Sequence, residues 1–144
     1  MIVMQFEDCI KFANANPTCY LATIDADQPR VRGMLMWYAD QTGFYFNTGA
    51  MKDLYRQLKA NPKVELCFFD PKSKNLQMMR VTGQVEFLDD LELKKRLVEA
   101  RPFLKQWNLT AESPGLIAFR VAKGEAFFWT WETNLEPKKK IMFT

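Results

Sequence analysis

The sequence predicts a mainly β fold, an antiparallel barrel with a few flanking helices. Seven segments read as strands, and only three carry helical spacing of apolar residues. Short turns join many of the strands, which makes neighbours antiparallel; parallel neighbours need a long crossover. A sheet of this many strands with so few covering helices removes its exposed edges by closing on itself.

The elements follow in order. Phe6, Cys9, Ile10 and Ala13 recur at helical spacing between Gln5 and Asn14, and Asn16-Pro17 ends that helix. Thr18 to Thr23 is rich in β-formers and leads into a turn at Asp25-Ala-Asp27. Pro29 to Tyr38 reads as the second strand and Phe44 to Thr48 as the third, joined through Ala39–Gly43. Met51 to Ala60 is the next helix, with Tyr55 and Leu58 among its apolar positions and Leu54 between turns, and it stops at Asn61-Pro62. Val64 to Phe69 and Leu76 to Phe87 are strands around a polar turn. In the longer one Met79, Val81 and Gly83 share one side, and Arg80, Thr82 and Gln84 the other. Asp89 with Glu92 resembles a capping pair that opens a helix ending near Arg101-Pro102. Phe103 to Pro114 reads as irregular with one helical turn. Leu116–Val121 and Glu125–Trp131 are the last strands, split by Lys123-Gly124, and the tail from Asn134 reads as mostly solvated.

The 144 residues fall within the size of one domain, and 48% hydrophobic content with 12 Phe and 4 Trp is ample for a core. A net charge of +3 from interleaved acids and bases argues against a dedicated nucleic-acid binder. The three cysteines, Cys9, Cys19 and Cys67, form no CxxC pair, so neither a disulfide framework nor a metal site is expected. Cys67, inside an apolar strand, reads as a small buried hydrophobe. The start Met1-Ile-Val-Met-Gln5 resembles no signal peptide, and no run approaches a membrane span; a cytoplasmic setting is expected. Histidine is absent, which removes His-based triads, HExxH proteases and His-ligated haem. Chemistry must then come from other side chains or from a cofactor.

The most informative stretch is Arg30-Val-Arg32 followed by Phe44-Tyr-Phe-Asn-Thr-Gly-Ala-Met-Lys52. Arginines at i and i+2 share one strand face. A lone pair at that spacing is more often a solvated surface, but the next strand changes the balance. Asn47 and Thr48 end it, Gly49 turns, and Lys52 stands at a helix opening, where unpaired N–H groups favour an anion. With the two strands adjacent, these groups converge on one phosphate.

These residues, with Tyr20-Leu-Ala-Thr23, Gln28-Pro29, Tyr55–Pro62, Val64–Phe68, Arg80–Val85 and Lys123-Gly-Glu-Ala126, resemble the pyridoxamine 5′-phosphate oxidase-like family of FMN-binding split β-barrels. The similarity is nearest to its small general-stress and nitroimidazole-resistance types. It covers most of the chain, through order and spacing rather than any one motif.

The resemblance implies an FMN-dependent oxidoreductase acting on an unknown small molecule. It also implies a homodimer with FMN between subunits, the phosphate on Arg32, with Arg30 secondary and Lys52 after the turn, and the ring along Asn47 and Thr48. Gln57 stands at the family's usual helix glutamine, and part of Gln77 to Arg80 would approach the ring. The larger vitamin-B6 oxidases add a C-terminal segment with arginine and histidine; this chain has no histidine and ends in Trp129–Thr133 and a lysine-rich tail. Pyridoxamine phosphate oxidation itself is therefore not expected, and no residue is assigned a catalytic role. The aromatic residues Trp37, Tyr38, Trp107, Trp129 and Trp131 divide between ring stacking and packing. The alternatives are a non-catalytic flavin-binding or sensing protein, a deazaflavin such as F420 in place of FMN, and a small nucleic-acid-binding barrel.

Overall fold

In the computed structural model, which describes residues 3–144, the helices are α1 (Phe6–Ala15), α2 (Asp53–Ala60) and α3 (Leu91–Ala100). The strands are β1 (Thr18–Asp25), β2 (Gln28–Leu35), β3 (Tyr38–Asp40), β4 (Gly43–Gly49), β5 (Lys63–Phe69), β6 (Met78–Phe87), β7 (Leu116–Trp129) and β8 (Ile141–Phe143). A 3₁₀ segment covers Pro102–Trp107. Met1 and Ile2, where the reading of the N-terminus begins, lie outside the described residues.

Every pairing is antiparallel, in the order β2-β1-β5-β6-β7-β4-β3, with β8 added to β7. The two ends of that order, β2 and β3, are consecutive in the chain and separated only by Met36 and Trp37. A sheet whose terminal strands share so short a link has to curl until its edges meet. Met36 is buried and its N–H donates to the Pro17 carbonyl at 2.8 Å, while the Trp37 N–H donates to the Tyr45 carbonyl at 2.9 Å. Among the described residues no ladder joins β2 to β3, so the barrel is split along this line. The strand read as Pro29–Tyr38 is accordingly two elements, broken where the chain crosses the split.

Inside the barrel Leu21, Phe44, Phe46, Leu66, Phe68, Val81 and Phe119 are essentially inaccessible. On the other face of β4, Tyr45 packs with Ala118, Leu116, Leu93, Leu97 and Leu104 under α3. Cover on both sides explains the unbroken apolar run Gly43-Phe-Tyr-Phe46. The cap of α3 is Asp90 rather than Asp89; its carboxylate accepts from the N–H groups of Glu92 at 3.0 Å and Leu93 at 3.2 Å.

Two further expectations change. The strands read on either side of Lys123-Gly124 are one bent strand, β7, whose first half pairs with β4 and whose second half pairs with β8. β6 follows it throughout, with a bulge opposite Thr82–Gln84. A Cβ on Gly124 would fall inside the Thr82 carbonyl, so the crossing admits only glycine. The tail is also more structured than its composition suggests. In β8, Phe143 is buried and stacks on Phe6 at 4.7 Å between centroids, fastening α1 to the barrel. Three residues behind a lysine run are too short to show an alternation.

Helix α2 begins at Asp53, two residues later than its spacing suggests, because Lys52 is extended (φ −83, ψ 150) and acts as the cap. Its buried face is Leu54, Gln57 and Leu58, as read for the two leucines, while Tyr55 is only half-buried. Among the described residues no helix is long and apolar enough to cross a membrane.

Candidate functional site

The antiparallel register of β1 and β2 sets Arg30 opposite Thr23, Arg32 opposite Leu21 and Met34 opposite Cys19. Opposed residues share a face, so both arginines project to the concave side of the sheet, as their spacing predicts. There Arg32 Nη1 donates to Thr23 Oγ1 at 2.8 Å and to the Leu21 carbonyl at 3.3 Å. Its Nη2 donates to Gln57 Oε1 at 2.7 Å. All three acceptors are neutral, and among the described residues no carboxylate pairs with this guanidinium. Burial pulls its pKa below the ordinary arginine value, against the pull of Asp53, and it remains cationic at neutral pH.

Arg30 is different. Its side chain is half exposed and lies 3.6 Å from Asp25, which also pairs with Arg56 at 3.1 Å. The Arg56 guanidinium, with help from Arg30, holds the Asp25 carboxyl below its usual range. Arg30 therefore stands at the rim with its charge answered.

Asn47 and Thr48 close β4, and the chain turns through Gly49 to the exposed Lys52 at the start of α2, where no side chain caps the helix. At that first turn the N–H groups of Lys52 and Tyr55 donate to the Gly49 and Lys52 carbonyls at 3.1 and 3.2 Å, which leaves those of Asp53 and Leu54 for an incoming acceptor.

Across from them stands Arg101, at the junction of α3 and the 3₁₀ segment. It is 8% exposed, yet Nη1 donates to Asn47 Oδ1 and Nη2 to the Leu35 carbonyl, both at 2.9 Å. Phe103 lies 5.8 Å from its guanidinium carbon, and burial lowers its pKa. Among the described residues it too has no carboxylate partner.

These groups line one groove of about 1340 Å³, walled on one side by Phe103, Leu104, Trp107 and Leu109. All five residues singled out in the sequence, Arg30, Arg32, Asn47, Thr48 and Lys52, border it. The route to that convergence differs from the expected one. β2 and β4 are not neighbours in the sheet; the curl of the barrel brings them to opposite banks of the split. Arg101 escaped the sequence reading, since an arginine before a proline at a helix end looks like an ordinary terminal cation.

The remaining aromatic and basic groups lie elsewhere. Trp107 borders the groove and is 62% exposed, whereas Trp37 and Tyr38 pack beneath α3. Trp129 and Lys138–Lys140 border a separate cavity of about 380 Å³, where Lys138 lies 4.9 Å from the Phe127 ring. Met78 and Arg80 share the outer face of the sheet with Tyr20 and Cys67, away from this groove, and Gln77 borders the smaller cavity. Cys67 is half-buried rather than fully enclosed.

Comparison with known proteins follows the same lines. Residues 6–129 match the sequence profile of the family described as "Pyridoxamine 5'-phosphate oxidase". A pyridoxine/pyridoxamine 5′-phosphate oxidase from Anaeromyxobacter dehalogenans (strain 2CP-C) is 38% identical over 96 residues, which are 62% of this chain and 48% of that protein. The match thus spans about half the length of that relative. A crystal structure of a NimC/NimA family protein from Clostridium acetobutylicum superposes with a TM-score of 0.79 at 26% identity, over 95% of this chain and 92% of that one. General Stress Protein 26 from Bacillus anthracis str. Sterne shares the fold, with a TM-score of 0.71 at 19% identity over 87% and 94% of the two chains.

Proposed function

The chain belongs to the pyridoxamine 5′-phosphate oxidase family, and from that premise we propose that its groove binds FMN and that the protein is a flavin-dependent oxidoreductase for a small molecule. The observation that carries the reading is a pair of sheltered guanidiniums, Arg32 and Arg101, that face one groove with only neutral oxygens as partners. Cations held in this way are costly unless an anionic or acceptor-rich ligand completes them.

The donor set fits a phosphorylated flavin. Arg32, Lys52 and the open start of α2 suit a phosphate dianion, with Arg30 at the rim. Asn47 and Thr48 offer an amide and a hydroxyl to the ring, and Phe103 and Trp107 offer it a flat apolar wall. Bound flavin would supply the electron or hydride transfer; the chain's part is to grip the phosphate, orient the ring and limit water around it.

A homodimer belongs to the same proposal. Tyr20, Ile24, Val31 and Leu35 are exposed on β1 and β2, an apolar surface suited to a second copy. Met78 and Arg80 lie on that outer face, so their approach to a flavin requires the groove of another protomer. Three unpaired thiols support a reducing, cytoplasmic setting.

One observation favours a non-catalytic flavin-binding or sensing protein as the second reading. Of the two carboxylates at the groove, Asp25 is ion-paired with Arg56 at 3.1 Å and Asp53 is largely exposed, so neither is an unpaired, sheltered acid or base. The test begins with the absorption spectrum of the purified protein and the mass of whatever it releases on denaturation. A flavin spectrum and the mass of FMN are expected, whereas a deazaflavin mass would replace FMN by F420. Arg32→Ala is expected to weaken FMN binding at least about tenfold, since a charge-assisted bond contributes roughly 1.5–3 kcal/mol. Wild-type affinity in that variant would refute the phosphate assignment. Turnover of a pyridine nucleotide with an acceptor separates the enzyme from the sensor.

A further inference from the structure

Resting on the reading of the groove as a flavin site, we infer that Arg101 and Asn47 form a second polar pole, which takes the oxygen-bearing edge of the flat ring while the Arg32 end takes the phosphate. A guanidinium has no acceptor, so the Asn47 atom 2.9 Å from Arg101 Nη1 has to be the amide oxygen. That contact fixes the amide orientation and leaves the two Nδ2 hydrogens without a protein partner. No buried side-chain polar atom among the described residues lacks a partner. Asn47 Nδ2 and Arg101 Nε, which have none, are therefore reached from open space, and both residues border the groove.

The pole consequently offers mainly N–H donors, with only the second lone pair of Asn47 Oδ1 as an acceptor. Such a group of donors recognises acceptors: a carbonyl pair, an imide edge or an anionic oxygen. Phe103, beneath the Arg101 guanidinium, and Trp107 supply an apolar wall for a flat ligand.

Arg101 is anchored on the Leu35 carbonyl, three residues along β2 from Arg32. At the rise of a strand this places the anchors of the two poles roughly 10 Å apart. A phosphate alone cannot bridge that distance; a phosphate joined through a chain to a ring can. Within the site, Arg101 has two tasks. It donates to the ligand, and it holds Asn47 so that the amide can do the same.

The experiment compares FMN with riboflavin, which lacks only the phosphate, by titrating each into the purified protein and following flavin fluorescence. Arg101→Ala is expected to weaken both ligands by the same factor, about tenfold or more, and to shift the visible absorption band of the bound ring. Arg32→Ala is expected to weaken FMN alone. Arg101→Lys keeps the charge without the two-pronged bridge, so it should fall between wild type and Arg101→Ala. Asn47→Ala leaves Arg101 its Leu35 anchor, carries the same expectation, and decides the matter where Arg101→Ala does not fold. Unchanged binding of both flavins in the Arg101 and Asn47 variants overturns the second pole, and so does a loss confined to FMN. A wild-type protein that binds neither flavin overturns the reading of the groove and the pole together.

Discussion

Gln57 and Arg32 are locked together across the floor of the groove: the buried amide oxygen of Gln57 accepts from Arg32 Nη2 at 2.7 Å and, at the same time, from Thr23 Oγ1 at 2.6 Å. An amide in that place holds the guanidinium without neutralising it. A carboxylate would hold it equally well and cancel its charge. Gln57→Glu is therefore expected to fold normally and lose affinity for FMN by about tenfold or more, with riboflavin affinity nearly unchanged. Titration of both ligands checks this, and equal affinity of wild type and variant for FMN would show that the free charge of Arg32 is irrelevant.

The bulge in β7 makes a second prediction. Gly124→Ala drives a methyl group into the Thr82 carbonyl, where the backbones of β6 and β7 cross. Backbone has no alternative rotamer, so the strands must separate. A loss of at least about 2 kcal/mol is expected in chemical denaturation.

A third concerns the C-terminal strand. Phe143 stacks on Phe6 at 4.7 Å and meets Phe44 edge-on at 5.6 Å. Phe143→Ala is expected to cost about 3 kcal/mol or more by opening a cavity between α1 and the barrel. Faster amide exchange in Phe6–Ala15 would localise the effect; unchanged stability would mean that β8 contributes little.

The buried thiols give a pH dependence. Burial, aided by Asp8, pushes Cys9 from 9.0 up to about 12, and burial, aided by Cys67, does the same to Cys19. The folded values lie above the unfolded ones, so the native state keeps protons that the unfolded chain releases. The stability from the neutral thiols is complete below pH 9 and is lost as pH rises toward about 12. Urea denaturation across that window should show a steeper alkaline loss in wild type than in a Cys9→Ala/Cys19→Ala variant.

Much of the site could be read before any coordinates. Arg30, Arg32, Asn47, Thr48 and Lys52 stand close in sequence, and their roles follow from local rules: a period of two on a strand, a turn, a helix start. Arg101 offered no such rule. Its partner Asn47 lies 54 residues away, and its significance rests on an absence of carboxylates that only packing reveals. The position of Gln57 on its helix is legible in the sequence, but its burial and its double acceptance come from α2 lying against β1. Phe143 is a similar case, because a short strand gains its meaning from the aromatic residues it meets.

The amino-acid order by itself determined the antiparallel β character, the positions of most strands and helices, and the cations on one face of β2. Those properties depend on periodicity and backbone chemistry within a few residues. The tertiary structure alone decided that β2 and β4 share a groove without sharing a ladder, and that a sheltered arginine faces them from α3. Closure sets such distances, since joining β2 to β3 through only Met36 and Trp37 bends the entire sheet and places remote side chains on opposite banks of one split.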